Sequence, residues 1–188
     1  MAVMASAAAF REAASGAGGV LVLDVKCTQM TRVLVDILRH LITEREEAGV
    51  VFSVDRPSAF LSRLLEHQGI PQDRLLYLDA VTNISGESFD QEGKLELFSS
   101  PFCVNLFSEF VSCHSEKVAG GRKGFVVVDN LGALRPYMTN PCVERIVGAL
   151  TTLGGGDAGF KSIFVMDKGS TPELYDIVMR LGGREVPL

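Results

Sequence analysis

Glycine is missing where a nucleotide-binding α/β protein needs it most. The apolar run Gly19-Val-Leu-Val-Leu-Asp24 leads into Val25-Lys-Cys-Thr-Gln-Met-Thr31 with no further glycine. A phosphate cradle needs glycine because its backbone turns sharply and aims successive N–H groups at the anion. This loop excludes the usual cradle. Metal-ligand spacing is missing as well. The four cysteines (Cys27, Cys103, Cys113, Cys142) form no CxxC pair, and their one neighbouring histidine is in Cys113-His114. Adjacent helical residues point about 100° apart and do not share a metal, so no metal centre is expected. Reduced, mostly buried thiols in a cytoplasmic protein fit the cysteine pattern. Clustered Lys and Arg are absent: the net charge is −5 and Arg122-Lys123 is the one local basic group. With a pI near 5.2, no nucleic-acid surface is expected. No apolar run approaches the roughly 20 residues that span a bilayer. The Ala-rich opening, residues 1–17, lacks the basic and strongly apolar regions of a signal peptide. The expectation is a cytoplasmic protein away from membranes.

What is present is enough apolar material for one core. With 188 residues, 47% of them hydrophobic, the chain reads as a single domain over 1–188. Five apolar runs, Gly19–Val25, Val50–Val54, Leu75–Asp79, Phe125–Asp129 and Ser162–Met166, are rich in Val, Leu, Ile and Phe and do not alternate with polar residues. Strands buried on both faces of a parallel sheet have this character. Amphipathic segments lie between them. Met30, Val33, Leu34, Ile37, Leu38 and Leu41 share one helical face, with Gly49 as the expected stop. A second helix is expected from Pro57, with Phe60, Leu61, Leu64 and Leu65 inward and Gly69 ending it. Further helices follow Pro101, Pro141 and Thr171-Pro172. Residues 82–100 form a long connection with a short extended piece at Leu95–Phe98, and Gly154-Gly155-Gly156 reads as a helix-to-strand connector. His40 and His67 are expected to cap helices or face solvent. The alternation predicts a three-layer αβα sandwich around a mainly parallel sheet of five strands or slightly more.

In such sheets, ligands bind beyond the carboxyl ends of the strands. Asp24, Asp55, Asp79, Asp129 and Asp167 all stand there. Aspartate is common at strand ends and as a helix cap, and a row of carboxylates can also hold a cation.

Four stretches carry a resemblance, two of them Leu75-Leu-Tyr-Leu-Asp79-Ala-Val and the Ser100-Pro101 start of the third helix. Phe125-Val-Val-Val-Asp129-Asn-Leu-Gly-Ala-Leu134 resembles the Walker B strand of the RecA/KaiC-like P-loop ATPases. Gly49-Val-Val-Phe-Ser-Val-Asp55-Arg56-Pro57, followed by Phe60-Leu61 and Gly69-Ile70, is similar to the second strand and helix of KaiC-like domains. The likeness runs from Gly19 to about Gly182, carried by the order and spacing of the motifs. It implies a RecA-like sheet. It also implies a Mg²⁺–ATP site with Thr31 and Asp129 on the metal and Asp55 as the catalytic base. Laid over the family's Gly-x-x-Gly-x-Gly-Lys-Thr loop, however, Asp24, Cys27 and Gln29 fall at the glycines and Met30 at the lysine; only Thr31 matches. Methionine cannot supply the lysine's charge on the β/γ-phosphates. Asp24 would repel them by something on the order of 1–4 kcal/mol at effective dielectrics of about 80 to 20. The acid pair of the base position reads Asp55-Arg56.

The leading expectation is thus a degenerate KaiC-like domain without catalysis, acting as an interaction or signalling module with a protein partner or further copies of itself. The alternative is a nucleotide-binding ATPase or sensor with a rearranged loop, in which Thr31, Asp129 and Asp55 hold Mg²⁺ and Lys26 or Arg56 meets the phosphates. A receiver-like or flavodoxin-type module is the third, on the strand-end acids and Lys168 after the last strand; the acid pair such modules carry after their first strand is missing, since Asp24 is followed by Val25-Lys26.

Overall fold

The computed structural model describes residues 9–16, 18–82, 95–97, 124–154 and 160–187. The helix expected after Pro101, most of the 82–100 connection and residues 155–159 lie outside them, as do Cys103, Cys113 and His114.

Among the described residues, seven strands form one sheet: β1 (Gly19–Asp24), β2 (Ala48–Ser53), β3 (Leu75–Asp79), β4 (Leu95–Leu97), β5 (Gly124–Val128), β6 (Lys161–Met166) and β7 (Arg184–Val186). Their order is β4-β3-β2-β5-β6-β1-β7, and every pairing is parallel. Five or slightly more were expected; β4 lies on the extended piece expected at Leu95–Phe98, and β7 adds a second three-residue edge. The helices among the described residues are α1 (described over residues 9–14), α2 (Met30–Arg39), α3 (Ser58–His67), α4 (Asn140–Gly154) and α5 (Pro172–Arg180). A 3₁₀ turn covers Leu131–Leu134.

Strand alternation sends side chains to two cores, and the helices cover both. Val22, Val50, Phe52, Val126, Val128 and Phe164 meet α4 and α5 through Val143, Ile146, Val147 and Val178. Leu21, Leu23, Val51, Val127, Ile163 and Val165 meet α2 and α3 through Leu34, Leu38, Leu61 and Leu65. Each such side chain, fully buried, contributes about 1.5–3 kcal/mol of transfer free energy. This is the expected three-layer sandwich.

Four local expectations are corrected. Gly49 does not stop the first helix but lies inside β2, where the Phe125 ring sits on its bare backbone; a Cβ there would fall 2.4 Å from a ring carbon. The helix ends instead in a π-turn, His40–Glu44, closed by the Arg45 N–H donating to the His40 carbonyl at 3.0 Å, and Glu46 turns the chain into β2 at φ 54°. Pro57 precedes α3 rather than opening it; the buried stripe is Ser58, Leu61, Ser62 and Leu65, and Phe60 is 50% exposed. His67 is exposed as expected, but His40 is buried.

At the amino edge of the sheet, Lys161 of β6 reaches Glu47, just ahead of β2, at 2.7 and 2.8 Å with both side chains buried. The strand between them, β5, starts with Gly124, which has no side chain to stand in the way.

Candidate functional site at the carboxyl edge of the sheet

All five strand-end aspartates stand at the carboxyl edge. They differ in what they hold. Asp79 ends β3 and is fully buried. One oxygen accepts the Ser58 N–H at the start of α3 and the Thr82 hydroxyl, both at 2.6 Å; the other accepts the Val81 and Thr82 N–H groups at 2.8 Å. Burial pushes this carboxyl up, but the Thr82 and Ser58 donors outweigh it and hold it below the usual carboxylate range. Asp79 ties β3 to α3 across the sheet edge.

Asp167, after β6, binds its own turn through Gly169 N–H at 3.0 Å and the first loop through Cys27 N–H at 3.3 Å. Burial opposes its ionisation; the Cys27 thiol and N–H, the Lys26 charge and the Ser170 N–H outweigh that and hold it low. The Lys26 ammonium lies 3.9 Å from it on a side chain that is 74% exposed. Asp24 accepts the Lys168 N–H at 2.9 Å. The loop after β1 is therefore fastened down by the turn after β6.

Asp129, just past β5, is buried. It accepts the Val54 N–H at 2.8 Å and the Asp55 N–H at 3.3 Å, bracing the bend after β2. Here burial wins: it pushes the carboxyl up to about 7 against those N–H bonds, with the Asp55 charge adding to the rise. Arg56 completes the cluster. Its guanidinium donates to the Thr31 hydroxyl in the first turn of α2, lies 3.6 Å from an Asp55 oxygen and stands 6.0 Å above the Phe60 ring. Asn130 spends its side chain on the Gly132 N–H at 3.1 Å, capping the 3₁₀ turn.

Of the residues singled out from sequence, Thr31 and Asp55 are thus joined through Arg56, and Asp129 reaches Asp55 through its backbone. Lys26 lies apart, against Asp167. The donor set does not suit a divalent ion: Thr31 faces a guanidinium, Asp129 receives N–H groups, and no His/Cys/Asp/Glu trio among the described residues is grouped to hold a metal. Sequence reasoning missed Ser53, whose hydroxyl is buried at the end of β2 without a hydrogen-bond partner. A serine inside an apolar run carries no signal of that.

The sequence matches no protein-family model and no curated protein. Among solved structures it is similar to the uncharacterized protein PH0321 from Pyrococcus horikoshii, solved in complex with an unknown peptide, with TM-score 0.64 and 12% identity over 90% of this chain and 77% of that one. It is also similar to the KaiC-like protein PH0186 of the hyperthermophilic archaeon Pyrococcus horikoshii OT3, with TM-score 0.56 and 16% identity over 90% of this chain and 71% of that one. No helix among the described residues is long and apolar enough to cross a membrane. With the all-parallel sheet and its two helical layers, these likenesses give the chain a KaiC/RecA-like fold.

Proposed function

We propose that this chain is a KaiC-like domain that does not hydrolyse ATP and serves as an interaction or signalling module. The observation that carries the reading is Arg56. Its guanidinium occupies the Thr31 hydroxyl and neighbours Asp55, so the protein's own cation stands among the residues from which the family resemblance would build a Mg²⁺ site. The glycine-free loop, held to Asp167 through Cys27, supports the same reading. So does PH0321, a structural neighbour that carries a peptide. The fastened carboxyl edge offers a rigid frame on which helix faces and sheet edges can meet another polypeptide, a homo-oligomer included.

Calorimetry decides it: ATP and ADP with Mg²⁺ are titrated into metal-free protein, beside a Thr31→Ala, Asp129→Ala double variant. The expected result is no heat at millimolar nucleotide. Binding tighter than about 100 µM, near −5.5 kcal/mol, that the double variant abolishes would overturn the proposal, as would robust ATP turnover by the clean protein.

One observation favours nucleotide binding as a second reading. Gln29 gives α2 no side-chain cap, and its first turn holds no acidic residue, so its N–H groups suit an anion. That reading requires a Mg²⁺-dependent rise in melting temperature with ATP.

A further inference from the structure

We propose that the outer face of the α2/α3 layer is a docking surface for an acidic polypeptide segment that brings an apolar side chain to Phe60. The two helices lie side by side. Arg56, just ahead of α3, donates to the Thr31 hydroxyl at the start of α2. Arg39, at the end of α2, donates to the Gln68 side-chain oxygen just past α3 at 2.8 Å. At about 100° per residue, Arg32 and Arg39 share the side of α2 opposite its buried Met30 and Ile37. Phe60 and Arg63 likewise point away from the buried Ser58, Leu61, Ser62 and Leu65 of α3. Phe60 is one of two large apolar side chains exposed among the described residues, and it is the one that the Arg56 guanidinium overhangs.

Charge singles out this face. Its four arginines, Arg32, Arg39, Arg56 and Arg63, stand among two carboxylates, Asp36 at 3.4 Å from Arg39 and Asp55 at 3.6 Å from Arg56. Glu66 is turned about 120° from Phe60, onto the flank of α3. Arg32 is exposed and has no hydrogen-bond or ionic partner among the described residues. The face is therefore positive, on a chain whose net charge is −5, and neither helix contributes a lysine to it. Arginine and aromatic residues dominate binding centres, where lysine is depleted. A guanidinium fork grips a carboxylate through two parallel bonds, and a half-exposed ring gains by covering its remaining apolar area. Carboxylates spaced around one apolar side chain answer both demands, and an acidic polypeptide supplies them. Nucleic acid suits the face less well, because a duplex carries one charge per about 1.7 Å and rewards an unbroken basic track. Asp36 and Asp55 interrupt this one. The docking face rests on the reading of the chain as an interaction module, to which it gives a place and a partner chemistry. Nucleotide titration of the wild type tests that reading by itself: ATP binding would remove the module, whereas failure of the docking test would move its contact to another face.

Selection of random phage-displayed peptides on the immobilised wild-type protein tests this, with the recovered peptides synthesised, labelled and titrated by fluorescence anisotropy. The peptides are expected to carry net negative charge and at least one large apolar residue. Their affinity should fall about tenfold or more as salt rises from about 50 to 300 mM. Phe60→Ala should weaken binding by about tenfold or more, and Arg32→Glu by about fivefold or more. Both side chains are exposed, so each variant should keep its Tm within about 2 °C of the wild type. Replacing the acids of a recovered peptide by their amides leaves the protein untouched and should abolish its binding. Recovery of no binding peptide, recovered peptides without an acidic bias, or binding unchanged in either variant would overturn the proposal. So would tighter binding of a single-stranded oligouridine or of phosphatidylserine vesicles than of any recovered peptide, which would assign the face to a different class of partner.

Discussion

Asp79 and Asp129 stand at the ends of the two strands that flank β2, both are buried, and they titrate in opposite directions. Asp79 has four donors shared over two oxygens, one of them a hydroxyl, and no competing charge among its named influences. Asp129 has the Val54 and Asp55 N–H groups, bunched mainly on one oxygen, with the Arg56 N–H also favouring its charge, and the Asp55 carboxylate beside it opposing it. Burial costs each of them its ionised form. The local donor count and the sign of the neighbouring charge decide which side wins. One carboxylate has become a strut between β3 and α3. The other keeps proton-binding capacity near neutrality at the edge where this kind of fold places ligands.

The comparison can be broken most sharply at Asp79. Replacing it by Ala removes the carboxylate acceptor of three backbone N–H groups and a hydroxyl, each loss worth about 1–3 kcal/mol where the group stays buried. Asp79→Ala is expected to lose about 3 kcal/mol or more in urea denaturation at pH 7, a fall in Tm of roughly 6–12 °C for a chain of this size. A loss under about 1 kcal/mol would mean that the strut carries no load.

Asp129→Asn sharpens the other side. Because the native carboxyl titrates near 7, well above the unfolded value, the native state retains a proton that the unfolded state gives up between about pH 4 and 7. That stability is fully present below pH 4 and is lost as pH rises through 7, at up to about 1.4 kcal/mol per pH unit. Asp129→Asn should flatten this decline and match or exceed the wild type at pH 8. Asp79 works the other way: its lowered native value adds stability above about pH 4 that vanishes on further acidification. A wild-type stability profile flat from pH 5 to 8 would contradict the Asp129 assignment.

Asp55→Asn tests the neighbouring charge by itself. The Asp129 titration should move down by about half a pH unit, seen in its carboxyl carbon shift by NMR. The smallest effect belongs to Arg56→Met. This half-exposed guanidinium contributes no more than about 1 kcal/mol, so chemical denaturation should scarcely register its loss.

Much of the fold was legible because β1, β2, β3, β5 and β6 are covered on both faces and so write unbroken apolar runs. Of the edges, β4 falls on the short extended piece expected at Leu95–Phe98, whereas β7 was not legible, since three residues cannot establish a period. Phe60 misled because it sits at helical spacing from Leu64, while α3 packs its Ser58, Leu61, Ser62 and Leu65 face inward and leaves Phe60 out. His40 misled for another reason: Phe10 of the N-terminal segment packs against its ring, a contact that local spacing does not reveal. At the site, the positions of the five aspartates followed from where strands end, but their roles did not. Whether Asp79 gains a hydroxyl donor or Asp129 a neighbouring carboxylate depends on how the turns after β2 and β3 meet, which is a tertiary fact. Arg56 reaching Thr31 joins residues 25 positions apart and leaves no trace in local pattern.

The strand order has a further consequence, for the order of events during synthesis. β1 is hydrogen-bonded to β6 and β7, and its register partner Lys161 follows Gly19 by about 140 residues. At translation rates of about 5–20 residues per second, β1 waits roughly 7 to 30 s after emerging before its neighbour exists. Meanwhile β2 and β3 can pair as soon as α3 links them, with β5 joining next. The first strand made is among the last to be placed, and until β6 arrives its Val20-Leu21-Val22-Leu23 stretch is an adhesive segment that the nascent chain, or a chaperone, must keep apart from other chains.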